Sequence, residues 1–461
     1  MIGPALIVLF GLGTPLAASQ TPSVPPSDRY AATARLIREE GLRSEKAFAM
    51  LADLVRTAGP RLPGSPVAAK AVDHVQSVMK DLGLETWLEP TRVQHWVRGE
   101  ESAKIIAGAG ERETDLTISA LGGSGPTPAS GISARVIEVA SFEELERRKD
   151  EVRGSIVFFN RPMDRTLIEP FRAYGEAAPF RAQGPSRAAR LGAAAALVRS
   201  LTFRLDDFPH TGMVDYDPAV PKIPSAAIST EDAEVLSSRL KTRPDLSVRL
   251  RLGCANLEPV MTANVVGQIR GTEKPDEVVL LGGHLDSWDL AVGAHDDGAG
   301  CIQAVEALRL ILKSGIKPRR TIRAVMFMNE EFGSSGGRDY AADPRRKAEK
   351  HIVAMESDRG GYGPLYAAVG GSPEARRKFA AFEPLFQELG LSGIRPGGGG
   401  SDVGPIIAAG AVPMGFVPAS AAYFDVHHSG HDILDNVHPR ELEMGAIIFA
   451  LLAVIAAEEG I

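Results

Sequence analysis

Apolar positions divide this chain into three stretches. Residues 30–58, rich in Ala, Leu, Glu and Arg, predict helix. A Gly/Pro break follows at Gly59-Pro60-Arg61-Leu62-Pro63-Gly64-Ser65-Pro66. Val72, Val75, Val78, Met79 and Leu82 then resume helical spacing over 67–83. From about 122 to 253 the pattern predicts an independent α/β module. Its short β-like runs are 134–139, 156–159, 226–228 and the alternating 246–252, with an Ala-rich helix expected over 186–200. Beyond 255, strand and helix alternate. The apolar runs 277–281, 321–328, 351–355 and 412–417 predict strands, and 298–312 predicts a helix with Ile302, Val305, Leu308 and Ile311 on one side. That order is the signature of a mostly parallel sheet covered on both faces. The late run 444–457 predicts a buried helix, too short for the roughly 20 residues of a membrane span.

Composition changes this picture little. The 461 residues have room for two or three domains, and a net charge of −7 without a basic tract argues against nucleic acid as partner. The first residues add more. The run Ala5-Leu6-Ile7-Val8-Leu9-Phe10, closed by Ala17-Ala18-Ser19, resembles a secretory signal peptide over 1–19, although no Lys or Arg precedes it. Residues 20–29 then read as a Pro/Ser-rich tether, and the mature chain is expected in the periplasm or outside the cell. Cys254 and Cys301, the two cysteines, have neither zinc-finger nor thioredoxin spacing, and one disulfide between them stays open.

In open α/β sheets, ligands bind beyond the carboxyl ends of the strands. Here those ends carry metal-capable side chains. The first strand runs into Gly282-Gly283-His284-Leu285-Asp286. His284 and Asp286 share a strand face, so the Asp286 carboxylate is expected to orient the imidazole. After a short loop, Asp296 precedes a helix and has two oxygens with which to bridge two cations, while Asp297 fits an N-cap. The next strands deliver Asn329-Glu330-Glu331 and Glu356-Ser357-Asp358, and the segment 423–432 carries His427, His428, His431 and Asp432. Glu330, beside Glu331, is free to act as a base. Singly, each residue has an ordinary structural explanation. Jointly, successive strands that each lead to a zinc-type ligand point to a metallohydrolase. His210 stands apart as an isolated imidazole, expected on the surface or in a loop. Gly333-Ser334-Ser335-Gly336-Gly337 lacks the Lys and spacing of a phosphate loop.

His284-Leu285-Asp286-Ser287-Trp288-Asp289, residues 293–300, Glu330-Glu331, Met355-Glu356-Ser357-Asp358 and His427-His428-Ser429 together resemble the di-zinc exopeptidases of clan MH. Within that clan the chain is most similar to the carboxypeptidase Q-like group, with further matching stretches at 59–65, His95-Trp96-Val97-Arg98-Gly99 and Pro221-Lys222-Ile223-Pro224. The resemblance implies an α/β fold. A zinc-peptidase domain with a mostly parallel or mixed twisted sheet would span 30–121 and 254–461, interrupted by a smaller protease-associated domain at 122–253.

It also implies two zinc ions per subunit. Asp296 would bridge them, Glu331 and His428 would complete one site, and His284 and Asp358 the other, across a cis Asp296–Asp297 bond. Glu330 would be the general base and acid, and His427 would donate to the oxyanion. Asp402, beside the glycine loop 397–400, would receive the substrate's amino group or orient a ligand, and Asp286 and Asp432 would lie around the metals or the substrate. The implied activity is hydrolysis of dipeptides or short peptides with a free N-terminus, with a homodimer left open. A single-zinc glutaminyl-cyclase-like enzyme and a non-catalytic binding protein on this scaffold are the alternatives. The chain departs from the pattern at Ile433, where members often place Thr, and at His295, a position usually small or apolar.

Overall fold

The apolar runs of the second half of the chain become the centre of one of two eight-stranded sheets. A computed structural model describes residues 25–106 and 112–461, together with Met1 and Gly108; apart from Met1, the expected leader lies outside the described residues. Eight strands form the first sheet: β1 (Glu85–Val97), β2 (Ala255–Ile269), β3 (Lys274–His284), β4 (Arg320–Phe327), β5 (Lys350–Glu356), β6 (Pro364–Val369), β7 (Ile394–Arg395) and β8 (Val412–Pro418). Their order is β1-β2-β4-β3-β5-β8-β6-β7. β4, β3, β5 and β8 run parallel, whereas β1 and β2 on one flank and β6 on the other are antiparallel to their inner neighbours.

Register aligns the strand ends. His284 pairs with Phe327 and Gly282 with Glu356, so the chain leaves β3, β4 and β5 at the same level of one sheet edge. Side chains alternate across the sheet. Val279 and Leu281 face a thick core built with the helices Ala299–Lys313 and Pro439–Glu459, while Leu280 and Val325 face a thinner one with Tyr340 and Val403. No helix among the described residues is long and apolar enough to cross a membrane.

Two N-terminal details differ from expectation. The helical stretch is two helices, Pro26–Ser44 and Lys46–Thr57, parted at Glu45 by a φ of 45°. Residues 26–29, expected in the tether, already belong to the first, because proline is accommodated at the first helical position, where its missing N–H costs no bond.

The second sheet contains Glu101–Ile105, Thr114–Leu116, Ile118–Ala120, Ile132–Val139, Ile156–Phe159, Ala195–Arg199, Ser225–Ile228 and Ser247–Leu252. The expected module boundary at 121/122 therefore falls inside this sheet. Ala103 pairs with Leu250 and Ser119 with Ala227, so Glu101–Ile105 and Ile118–Ala120 exist through pairing with residues more than a hundred positions away, and Thr114–Leu116 pairs at the edge with Glu101–Ile105. The helix expected over 186–200 is also corrected. Helix Gly184–Arg190 stops before Gly192, at φ 85°, and Ala195–Arg199 is a buried strand between two parallel neighbours. Burial and pairing there override the helical preference of alanine. Both cysteines are free and buried, Cys254 against the Ser124 carbonyl at 3.3 Å and Cys301 against that of His284 at 3.1 Å.

Candidate metal centre

Asp296 is the point where the strand ends meet. Its Oδ1 lies 3.1 Å from His284 Nε2, and its Oδ2 lies 3.3 Å from His428 Nε2. Each imidazole has its other nitrogen on a backbone carbonyl: His284 Nδ1 is 3.0 Å from the Asp286 carbonyl, and His428 Nδ1 is 3.2 Å from that of Thr211. Those bonds aim Nε2 inward and leave it free to coordinate a cation. Asp358 Oδ1 stands 3.6 Å from His284 Nε2, and Glu331 Oε2 stands 3.1 Å from His428 Nε2. Trp288 Nε1 donates to the same Glu331 oxygen at 2.6 Å.

This donor set suits divalent cations. His284, Asp296 and Asp358 bring three candidate ligand atoms within 4.8 Å of one another, as do Asp296, His427 and His428. Asp296 Oδ2 and Glu331 Oε1 are buried without a hydrogen bond. Burial opposes charge on the two imidazoles, yet the carboxylates facing them raise both well above the ordinary histidine value. Protons held this way are what a cation displaces on binding. Nitrogen and carboxylate donors of this kind match zinc.

Neighbouring groups hold the cluster in place. Asp432 accepts the His295 N–H at 2.6 Å and the Asp296 N–H at 3.0 Å. Asp297 accepts from His284 N at 2.9 Å and from Gly300 N at 3.0 Å, and the Asp296–Asp297 peptide bond is cis. Asp286 differs from expectation. Its carbonyl, not its carboxylate, orients His284; the carboxylate instead accepts the N–H groups of Asn329, Glu330 and Glu331 at 2.6, 3.1 and 3.1 Å. It thereby positions the loop that carries the candidate base and a candidate ligand. Burial pushes the Glu330 carboxyl up to about 8, helped by Asp358 and Glu331, although His284 opposes the shift.

The remaining sequence candidates separate. His427 stacks on His428 with ring centroids 3.5 Å apart, and its Nε2 lies 3.7 Å from Asp296 Oδ2. Asp402 is fully buried and neither carboxylate oxygen has a hydrogen bond, so the expected contact with a substrate amino group is not open to it. Close packing seals it in: Glu356 Oε2 accepts the Asp402 and Val403 N–H groups, and a Cβ on Gly337 would lie 2.3 Å from the Asp402 carbonyl oxygen. His295 is structural, accepting from Gly361 N at 3.1 Å, meeting the Asn436 carbonyl at 3.0 Å and stacking on Tyr362.

Sequence reasoning missed two braces. Arg61 is fully buried, and its guanidinium donates to the carbonyls of Leu285, Val292 and Gly293 on the segment between His284 and Asp296. A lone arginine within a Gly/Pro break was its one signal. His210, expected on the surface or in a loop, does lie in a loop but is buried, with Nδ1 2.7 Å from the His427 carbonyl, and Thr211 N donates to the His428 carbonyl at 2.9 Å. No local pattern announces a contact across 217 positions.

Comparison with known proteins places the chain among peptidases. A model of peptidase family M28 matches residues 264–453. Carboxypeptidase Q of Homo sapiens is 36% identical over 419 residues, covering 91% of this chain and 86% of that protein. Carboxypeptidase Q of Xenopus laevis is also 36% identical, covering 91% and 87%. The crystal structure of a peptidase M28 precursor from Shewanella amazonensis superposes with a TM-score of 0.89 at 32% identity, over 94% of this chain and 98% of that one. BSAP, a zinc aminopeptidase from Bacillus subtilis, shares the fold with a TM-score of 0.64 at 18% identity, over 90% and 95%.

Proposed function

The chain belongs to peptidase family M28 and is a zinc-dependent exopeptidase; from that premise we propose an exported enzyme that holds two zinc ions per subunit and cleaves dipeptides or short peptides with a free N-terminus. The observation that supports two ions is the Asp296 carboxylate, which presents one oxygen to His284 and the other to His428. In this reading Asp296 would serve both ions, with His284 and Asp358 holding one and Glu331 and His428 the other. The second sheet is the protease-associated domain interrupting the peptidase domain, and the leader-like first residues support export.

Zinc supplies Lewis-acid chemistry, polarising a carbonyl and acidifying water. The chain does the rest. Glu330 takes the proton of the attacking water on its carboxylate and passes it to the leaving amine. Asp286 keeps Glu330 in place through three backbone N–H groups, and Asp432 does the same for Asp296. His427 donates a hydrogen bond to the oxyanion.

The test pairs zinc analysis with hydrolysis of dipeptides and their N-blocked counterparts by the wild type and Glu330→Gln. Two zinc ions per chain are expected in both proteins, with activity lost by about 10²–10⁴-fold in the variant. Blocking the N-terminus should abolish cleavage. One zinc per chain, or cyclisation of N-terminal glutamine in place of hydrolysis, would overturn the reading.

A further inference from the structure

We propose that Arg359 makes this site selective for peptides that carry a carboxylate within one residue of the scissile bond. The inference rests on the peptidase reading above and names the substrate class for it. Lined by Asp358 is a cavity of about 280 Å³, bordered also by Gly398, Gly399 and Gly400 and by Phe171 from the second-sheet module. That volume falls below the roughly 300–1,000 Å³ of drug-sized sites and suits a single residue. Gly400 packs so closely that a Cβ there would lie 2.3 Å from Glu356 Oε2, which keeps this wall free of side chains.

Arg359 is the one cation among the residues lining the cavity. Among the described residues its guanidinium has neither a hydrogen bond nor an ion pair; its contact is the Phe171 ring, with the guanidinium carbon 4.2 Å from the centroid. Phe171 is itself fixed, stacked on Tyr423 at 5.4 Å and edge-on to Phe424 at 4.9 Å. The cation is thus held over an aromatic face while its donor fork stays unspent. Elsewhere around the site the arginines are engaged: Arg61 by carbonyls, Arg98 by Asp289.

A half-buried guanidinium with five unmatched donors is a bidentate receptor for a carboxylate. Arg359 and Asp358 line the same cavity, so the group next to a peptide bond held at the metal centre enters the space that the guanidinium borders. The other charges in the cavity do not compete for it. Asp358 is committed to the metal in the reading above, and Glu356 Oε2 accepts two backbone N–H groups. The carboxylate comes either from the C-terminus of a dipeptide or from an acidic side chain.

The experiment compares wild type, Arg359→Gln and Arg359→Lys on matched peptides. Ala-Ala against its C-terminal amide reads the terminal carboxylate. Glu-Ala-amide against Gln-Ala-amide, and Ala-Glu-amide against Ala-Gln-amide, read the side chain. Wild type should favour the charged member of at least one pair. In Arg359→Gln that kcat/KM ratio should fall roughly tenfold to a hundredfold, the worth of a charge-assisted hydrogen bond, mainly through KM; Arg359→Lys should retain part of it. Calorimetric binding of the same pairs to Glu330→Gln protein, with and without Arg359→Gln, should show the same change in ratio. An unchanged ratio in every pair overturns the inference while leaving the peptidase reading intact. A wild type that cleaves none of these peptides overturns the peptidase reading, and this inference with it.

Discussion

Replacing Arg61 by methionine tests how the metal centre is held together. The side chain is fully buried and makes five hydrogen bonds, every one to a carbonyl: Leu285 at 2.8 Å, Ala58 at 3.4 Å, Gly59 at 3.1 Å, Val292 at 2.5 Å and Gly293 at 2.9 Å. Methionine fills similar space and offers no donor. The Leu285, Val292 and Gly293 carbonyls lie on the segment joining the candidate ligands His284 and Asp296. Each carbonyl stranded in a dry site costs about 1–3 kcal/mol. Part of this is recovered by relaxation and water entry, so the expected loss is about 3–5 kcal/mol, within the roughly 5–15 kcal/mol of a typical fold. The variant should therefore fold, unfold at lower denaturant and bind zinc more weakly. Arg61→Lys keeps the charge that faces Asp432, Asp286 and Asp297 but lacks the planar fork, so it should recover less than half of the loss. Denaturant unfolding of the metal-free protein and zinc titration measure both effects. An Arg61→Met protein within about 1 kcal/mol of wild type, with unchanged zinc affinity, would refute the bracing role.

Two further outcomes are expected. Burial opposes the shift, but the Arg323 and Arg346 guanidinium groups hold the Glu349 carboxyl at about 2, below its ordinary 4.5, through contacts of 2.6–2.9 Å. The depressed folded value means that its contribution, on the order of 3 kcal/mol, is present above pH 4.5 and lost as pH falls toward 2. The stability gap between wild type and Glu349→Gln should accordingly shrink below pH 4.5, and a pH-independent gap in urea unfolding would contradict it. If the centre holds two zinc ions as proposed and His427 serves the oxyanion, His427→Ala should keep both ions while lowering kcat by about 10²–10³-fold. Zinc analysis returning one ion per chain would instead make His427 a ligand, as its 3.7 Å approach to Asp296 permits.

Much of the architecture was legible because its strands are long apolar runs in a parallel sheet, where burial on both faces leaves a plain signature. β3, β4, β5 and β8 lie where that pattern placed them, and the candidate ligands His284, Glu331 and Asp358 lie at or just past the ends of β3, β4 and β5. What escaped depends on distant partners. Glu101–Ile105 and Ile118–Ala120 are too short to declare themselves, and their status as strands comes from pairing with Ser247–Leu252 and Ser225–Ile228. Residues 195–199 carry alanines that favour helix in isolation, but two parallel neighbours make them a strand. At the site, residue type and strand face predicted that Asp286 adjoins His284, yet not that its carbonyl takes the imidazole while its carboxylate takes three N–H groups. Sequence periodicity gives the side of a strand, not the direction of an individual oxygen. Asp402 illustrates the same limit: its place beside a glycine loop predicts a contact with substrate or a ligand, and the packing of Glu356 and Gly337 around it is not written in the local sequence.

The braces from distant sequence explain why the metal centre needs more than the parallel sheet. β3 delivers His284, but His428 lies on a loop at φ 59°, a backbone conformation costing about 1–3 kcal/mol unless its surroundings fix it. The Thr211 backbone does so from both sides, with its N–H on the His428 carbonyl and its carbonyl on His428 Nδ1. His210, beside it, holds the His427 carbonyl, and Phe171 of the same module packs on Tyr423 at the start of that loop. Arg61 does the equivalent work for the segment leading to Asp296. The two imidazoles that converge on Asp296 are thus oriented by different parts of the chain, His284 by its own strand end and His428 by the second-sheet module. Whatever displaces that module relative to the sheet changes the placement of one imidazole and leaves the other where it was.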